Sequence, residues 1–528
     1  MSMYKVLIPS AGLGTRLGEF SKNLNKALVS IDNKPVISHV IEKFPKHIEI
    51  VIALGHKADV LKDYLEMAHS DRKLTFVPIQ NYCGAGSGLG LTILECKKHL
   101  QCPFVFCPND TVILEEIPEP SDNWVGFAET KQEDKYRTLK LDPSSGVREI
   151  SEKGAELSEV VNSYIGLAGV KDYKQFWNSM EEGRKYGSIK IGESYGLNEM
   201  ITRDLPVASR KFTWFDTGNL ESLQYAKKQL ASPNAPEILE KQDEAIWFVN
   251  GRVIKYNKDP NFILNRVART TDLKGFVPEI TANTDNMYSY RMLTGQVMSK
   301  CTNQKVFKSL LNYLESFWVP SQPPALDLAQ FHKTCREFYE AKTRKRVALY
   351  FDRFSEQDGV EEINGVTIAP LENLLSKVDW DTLQEGVPVR FHGDLHFENI
   401  LVSETGDFYL LDWRQDFGKN MQCGDLYYDL AKLLHGLIMS HELVNKEMYS
   451  VDHVDNIVTF DFHRKNCLVQ NEKDFFKFVE LSGYNPRKVR LLTALIFLNI
   501  APLHHYPYSK LLFYLGKSML HEEINNND

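Results

Sequence analysis

VRFHGDLHFENILVSETGDFYLLDW, residues 389–413, decides the architecture of the second half of this chain. Asp394 and Asn399 stand five residues apart, and Asp412 follows Asn399 by 13. NILV and FYLLD are β-rich runs on either side of SETGD, a turn-forming stretch, so residues 399–412 read as a hairpin. The hairpin accounts for the longer spacing, because Asn399 opens one strand and Asp412 closes its partner. An Asn amide and an Asp carboxylate brought side by side can bind Mg²⁺ on the phosphates of ATP. Asp394, on the loop before, is placed to accept a proton from a substrate hydroxyl. A lone His-x-Asp is usually structural, whereas HGDxHxxN with a hairpin-spaced DW is specific.

This motif resembles the aminoglycoside phosphotransferase and choline kinase superfamily, a small-molecule branch of the protein-kinase-like fold, over about residues 243–520. The resemblance implies a two-lobed α+β domain, ATP as phosphate donor, Asp394 as catalytic base, and Asn399 and Asp412 as metal ligands. A literal Asp416-Phe417-Gly418 lies 17 residues after Asn399, so Asp412 fits the metal position better. In GDLYYDLAKLLHG (424–436), Asp429 is expected to brace the catalytic loop. Upstream, AIWFV-NG-RVIKY (245–256) carries the Asn-Gly hairpin signal, and the resemblance implies Lys255 as the strand lysine on the ATP phosphates. This hairpin lacks a glycine-rich loop, and no Glu lies between Lys255 and Pro278 to pair with the lysine. YSYRMLTG (288–295) reads as the hinge. Histidines 435, 504 and 505 and tyrosines 506 and 508 suit a substrate pocket or, with more weight, ordinary core packing.

The first 230 residues have another rhythm. KVLIP (5–9), EIVIAL (49–54), KLTFVPI (73–79) and PFVFCP (103–108) alternate with helical stretches at 35–43 and 58–67. That alternation predicts an α/β domain with a mixed, mostly parallel Rossmann-like sheet, extended by strands at 124–129, 138–141 and 163–170 and closed by a helix at 220–230. The stretch ASPNAPEILEKQ, with two prolines and no periodicity, marks a linker. The expected division is 1–232, linker 233–242, and 243–528.

The first strand runs into SAGLGTRLG (10–18), followed by Lys26 in NKALVSIDNKP. Gly12, Gly14 and Gly18 permit a tight turn whose N–H groups, with Thr15, can face phosphate oxygens. Arg16 and Lys26 add positive charge for a triphosphate and for departing pyrophosphate. No GKS or GKT follows, so this is not a P-loop. GxGTRxG with the later Lys resembles the sugar-1-phosphate nucleotidyltransferases and the related phosphocholine cytidylyltransferases, over about residues 4–230. The resemblance implies Asp110 in PFVFCPND and Asp216 in TWFDTGNLESL as Mg²⁺ ligands. It implies Gly86 and Ser87 in NYCGAGSGLG as contacts to base and ribose, and Lys153 in SEKG as a contact to the acceptor phosphate. Here GAGSG stands for the commoner GTAG, and a glycine follows Lys153 where the family has proline.

Composition bounds the rest. The chain has 528 residues, 43% of them apolar, and a net charge of −8. That balance speaks against non-specific nucleic-acid binding, and no apolar run reaches a membrane span. Eight cysteines without a CxxC pair suggest neither a disulfide framework nor a zinc knuckle. A cytoplasmic enzyme of small-molecule substrates is expected, with homo-oligomerisation left open. A kinase makes a phosphate monoester and a nucleotidyltransferase consumes one. The fusion therefore suggests consecutive steps, ATP first and then a second NTP (CTP or UTP), with Mg²⁺ at both sites, toward polysaccharide, capsule or lipid decoration. The acceptor is a sugar, or else choline, ethanolamine or a polyol giving a CDP-alcohol. A catalytically silent kinase-like module on an active nucleotidyltransferase is the third alternative.

Overall fold

The computed structural model describes residues 4–131, 135–153, 161–232, 243–320 and 327–525. Contacts divide the chain into two compact units, one of residues 1–260 and 281–292, the other of 261–280 and 293–528.

In the first unit the parallel strands form because their residues are apolar on both faces. Val6 and Ile8 of Lys5–Ser10 join one apolar cluster, and Leu7 between them joins another. The strand Glu49–Leu54 divides likewise, Ile50 and Ile52 to one side, Val51 and Ala53 to the other. Helices cover each side: Ala58–Ala68 packs Leu61, Tyr64 and Leu65 into the first cluster, and Tyr173–Glu182 packs Phe176, Trp177 and Met180 into the second. Lys5–Ser10 lies parallel to Glu49–Leu54 and to Phe104–Phe106, and Glu49–Leu54 is parallel to Leu74–Pro78. Val161–Val170 then runs antiparallel to both Phe104–Phe106 and Trp124–Thr130. The unit thus has the expected mixed Rossmann-like sheet, and the helix Leu220–Leu230 falls where the periodicity put it. Loops leaving the carboxyl ends of parallel strands are where such sheets place their ligands.

One finding departs from the sequence expectation. The hairpin Glu244–Val249 and Arg252–Asn257 forms as predicted, with Asn250 and Gly251 both at positive φ. Its contacts, however, lie with the first unit rather than with the helix-rich second one. Trp247, Val249, Ile254, Tyr256 and Met287 join the cluster that holds Tyr64, and the Trp247 and Tyr64 rings meet edge-on at 4.9 Å. Strand alternation shows that one face is buried but not what covers it. The linker expected at 233–242 lies outside the described residues. The change of unit after Met292 falls inside YSYRMLTG.

The second unit is mainly helical, and its helix Leu426–Ile438 is buried along its whole length. Ile400–Val402 and Phe408–Leu410 pair antiparallel, as the SETGD turn predicts. Tyr449–Val454 and Ile457–Phe462 also form a hairpin, in a region that reads as helical from sequence. Among the described residues no helix is long and apolar enough to cross a membrane.

A buried ion pair holds part of this unit. Lys517, with 0% side-chain exposure, donates to Glu361 Oε2 at 2.5 Å and to the Gly359 carbonyl at 3.0 Å, and the Tyr514 hydroxyl donates to Glu361 Oε1 at 3.0 Å. Removing the cation strands a buried carboxylate. Lys517→Met is expected to cost about 3–5 kcal/mol in urea unfolding of this unit, and a loss below about 1 kcal/mol would show the pair to be neutral.

Candidate active sites

The first site assembles at the ends of Lys5–Ser10 and Phe104–Phe106. Asn25 anchors the turn that carries Lys26: its amide donates to the Ser10 carbonyl at 3.0 Å and the His56 carbonyl at 2.7 Å, and its oxygen accepts from Ala27 N. Gly14 has φ +68°, and a Cβ there would lie 2.8 Å from Lys26 Cβ, so this close approach requires glycine. Lys26 Nζ reaches Asp110 Oδ2 at 2.8 Å. Asp216 ends the strand Trp214–Asp216, which pairs with Thr111–Ile113 in the register Asp216↔Thr111. Thr217 ties the two segments by donating its N–H and its hydroxyl to the Asp110 carbonyl at 3.1 and 3.0 Å.

The two carboxylates and Arg16 converge at Gly218. A Cβ on that residue would lie 3.1 Å from Asp216 Oδ1, 3.3 Å from Asp110 Oδ2 and 3.4 Å from Arg16 Nη2. Burial raises the Asp110 carboxyl, but Lys26 and Arg16 outweigh it and hold the group below the usual carboxylate range. Lys153 senses the same cluster: burial, Arg16 and Arg137 lower its pKa, and Asp216 opposes them. Gly12, Thr15 and Arg16 are exposed along the turn. The second glycine loop lies beside this turn, since a Cβ on Gly55 would sit 2.6 Å from the Ala11 carbonyl and 2.8 Å from the Tyr82 ring. Within it Gly86 has φ +79°, and Ser87 donates its hydroxyl to the Gly84 carbonyl at 2.7 Å. Gly154 lies outside the described residues.

Gly218→Ala is expected to leave the fold intact and lower nucleotidyl transfer by roughly 10- to 100-fold. The added methyl would press on both carboxylates, which the resemblance makes metal ligands, and such ligands have to stand within fractions of an ångström of their working positions. A steady-state rate equal to wild type would remove the convergence at Gly218 from the argument.

In the second site the hairpin does what its spacing implies: Leu411 N donates to the Asn399 carbonyl at 2.7 Å, setting Asp412 beside Asn399. Asp412 has φ +57°, and Arg266 Nη1 donates to its Oδ1 at 3.1 Å. Asn399 donates Nδ2 to the Asp394 carbonyl at 2.9 Å and faces Asp394 Oδ2 at 3.3 Å, which leaves its Oδ1 for a cation. Lys432, on the buried helix Leu426–Ile438, holds Asp394 Oδ1 at 2.9 Å. Burial raises Asp394, yet Lys432 and His396 prevail and keep it well below the usual range, so it is ionised at neutral pH. Asp429 braces the loop as expected, accepting from His392 N at 2.7 Å, Gly393 N at 2.6 Å and Trp318 Nε1 at 3.2 Å. Burial lifts its pKa to about 6 against those bonds.

Lys255 is not a solvent-facing lysine. It is 5% exposed, with Nζ 6.0 Å from the centroid of the Tyr290 ring, and it belongs to the first unit, whereas Asp394, Asn399 and Asp412 belong to the second. Sequence reasoning missed four residues: Tyr136, which donates to Asp216 Oδ2 at 2.9 Å, Arg266, His396 and Lys432. For Lys432 a signal existed. A lysine inside a mostly apolar helix, three residues after Asp429 in GDLYYD, implies a buried counter-charge.

The first unit therefore has the sheet and paired acids of a nucleotidyltransferase-type domain, and the second has the catalytic-loop layout of a small-molecule phosphotransferase. Comparison with known proteins agrees: residues 325–445 match the profile of the phosphotransferase enzyme family (APH). The N-terminal half is similar to sugar-1-phosphate nucleotidyltransferase relatives. One is the "Bifunctional protein GlmU" of Methanococcus vannielii, 26% identical over 175 residues, which are 32% of this chain and 41% of that protein. Another is the "D-glycero-alpha-D-manno-heptose 1-phosphate guanylyltransferase" of Campylobacter jejuni, 23% identical over 169 residues, 31% of this chain and 75% of that protein. Among solved structures, the CTP:phosphocholine cytidylyltransferase of Streptococcus pneumoniae (LicC) is 17% identical, with a TM-score of 0.37 over 43% of this chain and 99% of that one. The chain spans about two-fifths of the length of the GlmU relative.

Proposed function

We propose that this chain is a bifunctional enzyme that phosphorylates a sugar or small alcohol with ATP and couples the resulting phosphate to a second nucleoside triphosphate, releasing pyrophosphate. The observation that carries this reading is the convergence of Asp110, Asp216 and Arg16 at Gly218, in a chain that also sets Asp394 beside Asn399 and Asp412. Asp110 with Asp216 would hold one Mg²⁺, and Asn399 with Asp412 would hold another; each ion would neutralise phosphate charge. The donor sets fit, since two carboxylate oxygens meet around one point in the first site, and in the second the Leu411–Asn399 backbone bond brings an amide-bearing and a carboxylate-bearing residue next to each other.

In the first site Arg16 and Lys26 would stabilise the departing pyrophosphate, and Lys153 would steer the acceptor phosphate for in-line attack. In the second, Asp394 would orient the acceptor hydroxyl and receive its proton. A strongly acidic carboxylate suits that role, because phosphoryl transfer through a loose transition state needs alignment more than a strong base. Lys432 fixes Asp394 in place from one side.

The sugar-phosphate relatives favour a sugar acceptor and a nucleotide-sugar product, of use in polysaccharide, capsule or lipid decoration. Choline or ethanolamine with CTP is the alternative acceptor class. The contact of Arg266 with Asp412 favours a second reading, in which the kinase-like unit binds ligands without catalysis. ³¹P NMR with Mg²⁺, ATP, CTP or UTP and pooled sugars, polyols and amines tests all of these. A new monoester that becomes a diphosphate diester establishes both steps. Pyrophosphate release from the nucleoside triphosphate only when phosphate monoesters are supplied would support the silent-module reading.

A further inference from the structure

The second unit holds a cluster of imidazoles of which the proposed phosphotransfer uses only His396, through its contact with Asp394. His396 Nδ1 lies 3.2 Å from Glu398 Oε2, and His441 Nδ1 lies 3.5 Å from the same oxygen. One donor atom from each of the three residues falls within 4.8 Å of the other two. His435 stands next to them, its ring centroid 6.5 Å from that of His396 and 6.3 Å from that of His441. It is 3% exposed, and neither of its ring nitrogens has a hydrogen-bond partner. A buried imidazole with both nitrogens unpaired is costly unless something meets it.

The sequence explains the placement. His396 precedes the 3₁₀ turn Phe397–Asn399 at the end of the catalytic loop and Glu398 lies within it, and His435 lies in the last turn of Leu426–Ile438. His441 opens the next helical segment after the chain turns back at 439–440. Two segments far apart in sequence thus bring two imidazoles to one carboxylate oxygen.

We propose that His396, Glu398 and His441 form a binding site for a divalent transition metal, with Zn²⁺ the best match. Zinc ligands at about 2.0–2.1 Å in a tetrahedron stand about 3.3–3.4 Å from one another, which is the separation seen on the two measured edges. The third edge closes by rotation of His441, whose side chain is 35% exposed. Two imidazoles and one carboxylate select zinc over magnesium, which prefers an all-oxygen shell. His435, whose ring centroid lies 6.3–6.5 Å from those of His441 and His396, or an incoming ligand would complete the set. His396 Nε2, on the far side of its ring, lies 3.7 Å from Asp394 Oδ2, the carboxylate–histidine–metal order that orients metal-bound imidazoles. The site therefore adjoins the catalytic carboxylate through one ring.

The test uses the full chain, free of nucleotide and magnesium, with Zn²⁺ in equilibrium dialysis and Co²⁺ as a spectroscopic probe. Wild type is expected to bind Zn²⁺ at this site and to give the intense visible absorption of tetrahedral, nitrogen-ligated Co²⁺. The oxygen ligands of the two active sites, a carboxylate pair in one and an amide with a carboxylate in the other, would give only the faint spectrum of an octahedral, oxygen-ligated ion. Glu398→Gln and His441→Ala should each weaken that binding by at least ~100-fold, since even an outer-shell change costs 10–100-fold. Circular dichroism checks that both variants are folded, and the two substitutions perturb packing differently. Absence of the tetrahedral spectrum in wild type, or its survival in both folded variants, overturns the proposal. Neither readout depends on which reaction the chain catalyses, so failure here and failure of the proposed function are separable.

Discussion

Asp394→Asn is expected to lower ATP-dependent phosphorylation of the acceptor by about 10²–10⁴-fold while nucleotidyl transfer from supplied phosphate continues at the wild-type rate. The asparagine keeps the shape of the side chain but removes the charge that Lys432 and His396 hold at 2.9 and 3.7 Å, and it cannot take the hydroxyl proton. Lys432 is 8% exposed and would be left without that anion, so a thermal unfolding profile should accompany the kinetics. A folded variant with no phosphorylation and full nucleotidyl transfer assigns the two reactions to separate sites. Equal phosphorylation in wild type and variant would remove Asp394 from the chemistry. Because Asp394 is already ionised, the phosphotransfer rate of wild type should not fall between pH 7 and pH 5 on account of this group.

The mirror experiment is at the first site. Asp110→Asn and Asp216→Asn should each reduce nucleotidyl transfer by about 10²–10³-fold, or about 3–4 kcal/mol of transition-state stabilisation. The two carboxylates converge on one point, so each variant removes half of the oxygen charge that would hold the cation. Asp110→Asn also releases Lys26, which is held at 2.8 Å, and should disturb nucleotide binding more than Asp216→Asn does. Asp216 is instead tied to Tyr136 and to the N–H of Gly218, at 2.9 Å each. Its loss should show in kcat more than in KM. Pyrophosphate release, measured with a supplied sugar phosphate, decides the matter. A double variant no worse than either single one is expected, since the pair acts as a unit. Additive losses would mean that the two acids serve separate tasks.

Much of the catalytic layout was legible because it is local. The spacing of Asn399 and Asp412 requires a hairpin once SETGD is read as its turn, and the structure pairs those strands. Apolar runs with residues committed to both faces, such as KVLIP and EIVIAL, specify buried parallel strands, since only a sheet covered on both sides tolerates them. Asp429 as a brace was also readable, through the resemblance of GDLYYDLAKLLHG to the family's following helix, and the donors it finds belong to the 392–393 loop. The hairpin at 449–462 escaped notice because its alternation is weak: Tyr449–Val454 exposes every second residue but buries none completely.

Other features had no local signature. Lys432 to Asp394, Arg266 to Asp412 and Tyr136 to Asp216 join residues whose separation in sequence carries no period and no turn. The destination of the hairpin at 244–257 was equally hidden, since Trp247 and Ile254 announce a buried face without naming the Tyr64 side of the sheet that receives it. By itself the sequence determined the glycine turn and the 399–412 hairpin, which follow from backbone geometry and short-range spacing, while resemblance to known families implied the two fold classes and the paired acids. Only the tertiary structure decided which charges neutralise those acids, which core the hairpin joins, and that His396, Glu398 and His441 meet. Those outcomes depend on long-range packing, where burial forces each charged or polar group to find a partner wherever the fold supplies one.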